Sequence, residues 1–177
     1  MPQSSQFFMD DSEMPYSLEA EQTILGAILI NQEILSIVLE KIKAECFYVP
    51  QHRALFGVMF DMFTTGEKAD IVTVLNEALS RQIFENAQEG RNYLANLVDL
   101  VPAVSNVESY CKIVSDKYYI RSLAEISREI LNEISNGESD AQLLLDSAEQ
   151  KIFRIRQGRD ISGLTPIREI VYDTYTH

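Results

Sequence analysis

The chain has 177 residues, 46% hydrophobic and 24% charged, enough for one ordinary soluble domain plus an appendage. Its net charge of −12 leaves only residues 151–177 net positive, at +2 from three acidic and five basic side chains. An acidic body cannot supply the Lys and Arg contacts to phosphate that dominate DNA affinity, so tight direct nucleic-acid binding is excluded as its main role. No apolar run approaches the roughly 20 residues of a membrane span. The start, MPQSSQFFMDDSEMPY, lacks the basic and apolar regions of a secretory signal, so a cytoplasmic location is expected. Cys46 and Cys111 have no His or Cys at ligand spacing and read as reduced thiols in or near a core.

Residues 1–14 are polar, acidic and without period, and read as a disordered tail. Ser17 is a good N-cap for the first helix, with Glu19 and Glu21 in its first turn, where the helix dipole favours anions. Leu18, Leu25, Ile28 and Leu29 share one face, and Gly26 interrupts the helix, as a close neighbouring helix would require. A short helix follows near 32–43. Pro50 then opens a helix whose His52, Leu55, Phe56, Met59, Phe60 and Phe63 make the strongest apolar stripe in the chain, ended by Gly66. This spacing predicts the central core helix, with His52 as a hydrogen-bonded structural residue rather than a catalyst. Asp70 caps a helix bearing Ile71, Leu75, Ala78 and Leu79, residues 83–90 read as a polar connection, and a helix over 91–101 ends at Pro102.

Asn106 caps a long helix whose Val107, Tyr110, Cys111, Val114 and Tyr118 should pack on the body. Thirty helical residues span about 45 Å, longer than the body needs, so the half beyond Tyr119 is expected to project. Asn136-Gly137 ends it in a short turn, Ser139 or Asp140 caps a return helix, and Gly158 closes that helix. The resulting αα-hairpin carries Tyr119, Leu123, Ile130, Leu131 and Ile134 on one helix. Leu144, Leu145, Ala148, Ile152 and Phe153 lie on the other. These residues are expected to bind a second copy or a partner; the competing arrangement folds the hairpin flat on its own body. Lys151, Arg154, Arg156 and Arg159 form the sole candidate nucleic-acid patch, or else complement a helix C-terminus. A linker over 159–164 leads to a short helix that starts at Thr165 and Pro166, with Ile167, Ile170 and Val171 on one side, expected to dock elsewhere. The expected fold is therefore all-α. A disordered tail (1–14) precedes a small helical globular domain (15–118), a helical hairpin (119–157), and a linker with its helix (158–177).

No chemistry-bearing motif accompanies these elements. None of the seven glycines begins a phosphate loop or a dinucleotide-binding turn, and there is no HExxH, GxSxG or Cys/His cluster. The chain itself is therefore expected to be non-catalytic, with no cofactor or metal.

Five segments, taken together, resemble the N-terminal region of DnaB-type bacterial replicative DNA helicases. They are PYSLEAEQTILGAIL, CFYVPQHRALFGVM, DIVTVLNEAL, YLANLVDLVPAVSNVESYCKIVSDKYYIRSL and LLDSAEQKIFRI, in the family's order over about residues 15–157. The more specific parts are Ala20-Glu21-Gln22 with Gly26, Phe47-Tyr48 with His52-Arg53 and Phe56, and Pro102, Asn106, Tyr110 and Ile113-Val114. Glu89-Gly90-Arg91-Asn92 departs from the family's usual glycine pair. The resemblance implies a fragment of a hexameric enzyme that unwinds DNA with ATP and Mg²⁺, bound in an ATPase domain beyond His177. It implies a collar, a trimer of dimers joined through hairpins. The partners it implies are self, the primase C-terminal domain and a helicase loader, with DNA met only through the ATPase domain. Its linker helix would dock Ile167, Ile170 and Val171 on a neighbouring subunit. A stand-alone helical adaptor and a single-strand-guiding domain are the alternatives.

Overall fold

The computed structural model describes residues 14–103 and 106–163. The described residues form seven α-helices and no strand: α1 (Leu18–Ile30), α2 (Ile34–Lys41), α3 (Pro50–Thr65), α4 (Ile71–Ser80), α5 (Ala87–Asp99), α6 (Val107–Ser135) and α7 (Ala141–Gly163). A single 3₁₀ turn, Ala44–Cys46, precedes α3. The chain divides into two compact units between Arg121 and Ser122. Among the described residues no helix is long and apolar enough to cross a membrane.

Caps set most of the boundaries. The Ser17 hydroxyl accepts from Ala20 N at 3.2 Å. Asp70 and Thr73 make a reciprocal capping box, Asp70 Oδ1 accepting from Thr73 N at 3.0 Å and Thr73 Oγ1 accepting from Asp70 N at 2.9 Å. The hydrogen bond from Thr73 N holds the Asp70 carboxyl below its ordinary pKa. Asn106 Oδ1 accepts from Glu108 N at 3.1 Å. Gly66 closes α3 at φ +75°, and Gly137 follows α6 at φ +93°, both in the left-handed region where glycine is unstrained. Asp140, not Ser139, caps α7, accepting from Gln142 N at 2.9 Å.

The core differs from the sequence expectation in its centre. α1 is buried nearly all round, from Ala20 to Leu29, and is the helix about which the first unit packs, touching α2, α3 and α5. Its glycine has a defined reason. A Cβ on Gly26 would lie 2.1 Å from Leu97 O and 2.7 Å from Val101 Cγ2, so α1 and α5 approach backbone to backbone. α3 buries His52, Leu55, Phe56, Val58, Met59 and Met62. Phe60 and Phe63, assigned to its core stripe from the sequence, are exposed: Phe60 turns off the buried arc and Phe63 sits in the last turn. Val58 and Met62 take their places.

Three other boundaries move. Residues 83–90 are not wholly a connection, because Asn86 accepts from Glu89 N at 2.9 Å and starts α5 at Ala87. The turn between α6 and α7 covers residues 136–140, longer than expected. α7 continues past Gly158 through Gly163, so the linker expected over 159–164 is largely helical. Of the disordered tail expected over 1–14, residues 1–13 lie outside the described residues, as does the helix expected at Thr165 with Ile167, Ile170 and Val171, whereas Met14 is buried rather than disordered.

The α1–α5 contact generates a direct test. Gly26→Ala should destabilise the chain by about 1–3 kcal/mol or more, since backbone cannot yield as a side chain would. Urea denaturation followed by circular dichroism measures it; an unchanged midpoint would show that the helices are not held this close.

Candidate interaction surface

Two polar clusters in the first unit and one apolar surface in the second are the features a function could use. The first cluster centres on Glu21, which is 1% exposed. Its carboxylate accepts from the backbone N–H groups of Tyr48 at 3.1 Å and Val49 at 3.2 Å, and meets His52 Nδ1 at 3.0 Å. His52 Nε2 meets the Tyr93 hydroxyl. α1, α3 and α5 are thus tied through one side chain each, and the loop before α3 through two backbone amides. Burial pushes the Tyr93 hydroxyl pKa up. The polar atoms here are spent on other protein groups. Among the described residues no buried side-chain N or O lacks a partner. His52 is the hydrogen-bonded structural residue its sequence position suggested. Glu21 was read only as a first-turn anion, because nothing local reveals two amides 27 and 28 residues away.

The second cluster surrounds Arg121, the last residue of the first unit. Its guanidinium donates to Pro15 O at 2.8 Å and Cys46 O at 2.9 Å, and lies 5.0 Å from the Tyr48 ring centroid. Tyr16 stacks on Tyr48 at 4.5 Å. Burial lowers the Arg121 pKa, while the charge of Glu21 acts in the opposite sense. Both cysteines are buried. Desolvation raises the Cys46 thiol pKa and pushes that of Cys111 up to about 12, so each is a protonated thiol at neutral pH. Among the described residues no group of three His, Cys, Asp or Glu could hold a metal.

The second unit is different in kind: among its described residues it buries no apolar side chain fully. Of the ten hairpin positions expected to bind partners, Leu123, Leu131, Ile134, Leu145, Ile152 and Phe153 are exposed, and Tyr119, Ile130, Leu144 and Ala148 are half-buried. Leu143, 56% exposed, joins them and was missed from sequence. The α6–α7 pair is held by polar contacts. Lys151 bridges Glu133 and, at 3.3 Å, Glu129, and the Ser147 hydroxyl donates to Glu133 at 3.1 Å. This pairing lowers the Glu133 pKa and raises that of Lys151. Lys151 is therefore committed to α6. Arg154, Arg156 and Arg159 are exposed; at 100° per residue Arg156 and Arg159 share one side of α7, while Arg154 lies on another, so the three form no single stripe. α7 also has no basic residue in its last turn, so complementing the helix dipole does not explain them.

The hairpin thus leaves a row of apolar side chains uncovered in the single chain. A family model described as the DnaB-like helicase N terminal domain matches residues 13–116. The chain belongs to this family. Over 162 residues it is 35% identical to the replicative DNA helicase DnaB of Geobacillus stearothermophilus, covering 91% of this chain and 35% of that protein. It thus spans about a third of that relative's length. The N-terminal domain of DnaB helicase from Mycobacterium tuberculosis superposes with a TM-score of 0.73 at 31% identity, over 80% of this chain and 99% of that one. The N-terminal domain of DnaB helicase from Helicobacter pylori shares the fold, with a TM-score of 0.57 at 17% identity over 66% of this chain and 90% of that one. Within this DnaB N-terminal fold, the Glu21 network is the part of the first unit most open to a quantitative test.

Glu21→Ala would leave two buried N–H groups and His52 without their acceptor, at about 1–3 kcal/mol for each orphaned group. Glu21→Gln keeps one acceptor oxygen and should fall between Ala and the parent. Equilibrium denaturation of the three proteins should rank them in that order. Equal stability of Glu21→Ala and the parent would remove the carboxylate from its structural role.

Proposed function

We propose that this chain is a non-catalytic collar module of a replicative DNA helicase, joining copies of itself through the α6–α7 hairpin and docking primase. The carrying observation is the row of exposed apolar residues along the hairpin. A lone two-helix hairpin buries too little to persist, and two of them close both apolar faces as a four-helix bundle.

The register of α6 supports a second copy as the occupant. At 100° per residue, Ile113, Ile120, Leu123, Ser127, Leu131 and Ile134 fall within an arc of about 80° on this single helix. Ile113 with Ile134, and Ile120 with Ser127, lie symmetrically about the point between Leu123 and Ala124, whereas Leu123 and Leu131 fall opposite Ala124 and Asp116. An antiparallel copy would set Ile113 on Ile134, Ile120 on Ser127 and Asp116 on Leu131, with no like charges opposed. A twofold interface requires such self-complementarity. The primase reading is supported by kinship, since the Helicobacter pylori domain was studied in its interactions with primase. DNA unwinding, with its ATP and Mg²⁺ chemistry, and any contact with a helicase loader belong in this reading to the longer protein.

Ile120 is 52% exposed in the single chain, so Ile120→Asp should leave the fold intact. It should weaken self-association by on the order of tenfold or more, as the loss of a central apolar contact does. Sedimentation velocity across a concentration series, with circular dichroism as the folding control, reads this out. A parent chain that stays monomeric at high concentration and ignores its cognate primase would refute the proposal.

A further inference from the structure

The connection between α6 and α7 carries a reactive pair of residues. Asn136 is exposed and lies one residue past the end of α6. Gly137 follows it at φ +93°, and nothing stands within 4 Å of where its Cβ would be. Of the eight asparagines in the chain, only Asn136 precedes a glycine. The others are restrained. Asn31, Asn86 and Asn106 spend their side-chain oxygen on backbone N–H groups, and Asn92 accepts from Gln88. Asn76, Asn96 and Asn132 sit inside α4, α5 and α6, where the N–H of the next residue belongs to the helix ladder. The Gly137 N–H donates to Ile134 O over 3.3 Å, against 2.9 Å for the Asn136 N–H on Asn132 O. So long a bond at an exposed helix end opens at little cost.

We infer that Asn136 is a deamidation site, converted without an enzyme to aspartate and isoaspartate. Hydroxide takes the Gly137 amide proton, and the freed nitrogen attacks Cγ of Asn136. A C–N bond forms there. The bond from Cγ to the side-chain nitrogen breaks, and that nitrogen takes a proton from water and leaves as ammonia. The product is a five-membered succinimide. Water then opens either carbonyl of the ring. Cleavage at Cγ leaves aspartate; cleavage at the main-chain carbonyl leaves isoaspartate, whose backbone runs through the side chain. Glycine allows the ring to close because no Cβ crowds the attacking nitrogen. Either product adds a carboxylate to a chain already at −12, and places it at the negative end of the α6 dipole. Glu133, Asn136, Gly137 and Glu138 line one shallow hollow, so the new carboxylate joins two others. Lys151 is already paired with Glu129 and Glu133. Isoaspartate also lengthens the main chain by a methylene just before the left-handed stop. The site thus loosens the α6–α7 connection as the protein ages, whatever the hairpin binds.

The test incubates the 177-residue chain at neutral and mildly alkaline pH and follows each asparagine by peptide mass spectrometry. Labelling by an isoaspartyl methyltransferase gives a second readout. Asn136 is expected to convert many-fold faster than the other seven asparagines, and faster still as pH rises, because base removes the Gly137 proton. Asn136→Gln should abolish the isoaspartyl label, since a six-membered ring closes far more slowly. Asn136→Asp carries the product charge, and should speed hydrogen exchange in the last turn of α6 and the first of α7 relative to Asn136→Gln. An Asn136 amide that survives as long as those of the other asparagines would overturn the inference. Equal exchange in the two variants would overturn the loosening and leave the conversion standing.

Discussion

A single buried carboxylate fixes the geometry on which the first unit depends. Glu21 leaves α1 and takes the N–H groups of Tyr48 and Val49, the residues just before Pro50 opens α3. Val49 is the N-cap of α3, and here a distant side chain takes up its amide where no local side-chain cap is made. His52 and Tyr93 extend the tie to α5, and Gly26 lets α5 come within backbone contact of the same helix. Removing water from these groups makes each bond stronger and each loss dearer, so α1 is held in one place. From the other side, Arg121 reads the Cys46 carbonyl and the Tyr48 ring. Residues 46–49 are thereby bracketed between an acid of α1 and a base of α6.

The two units spend their residues in opposite ways. The first buries its apolar side chains and satisfies its buried polar groups internally, which leaves it little to offer a ligand. The second holds its helices together with Lys151, Glu129, Glu133 and Ser147 near the surface, where ion pairs contribute little. Leu123, Leu131, Ile134, Leu143, Leu145, Ile152 and Phe153 stay in water. In the proposed reading a second copy or a partner covers them, so that partner binding and hairpin stability become one equilibrium.

What could be read from the sequence divides along the same physical line. The caps at Ser17, Asp70 and Asn106, the stop at Gly66 and the apolar hairpin positions were legible because their causes lie within a turn of the residue concerned. Glu21 and Arg121 were not, since their partners lie 27 to 106 residues away. The start of α5 was hidden because Asn86 caps a first turn, Ala87–Gly90, that carries no large apolar residue. There Gly90 serves packing, as a Cβ would meet Leu75 and Phe84. The end of α7 was misjudged because Gly158 looked like a stop, yet one glycine costs a helix only about 1 kcal/mol. Phe60 and Phe63 show the converse error: period alone cannot tell which end of a stripe its neighbours reach.

The central claim is that the hairpin is completed by association while the first unit is complete by itself. Amide hydrogen exchange measured over a protein concentration series tests this most directly. The account expects amides of α6 beyond Ser122 and of α7 to slow markedly as concentration rises through the association range. The Tyr48 and Val49 amides, held by Glu21, should exchange at one slow rate throughout. Hairpin amides that are equally protected at every concentration, in a chain that remains monomeric, would contradict it.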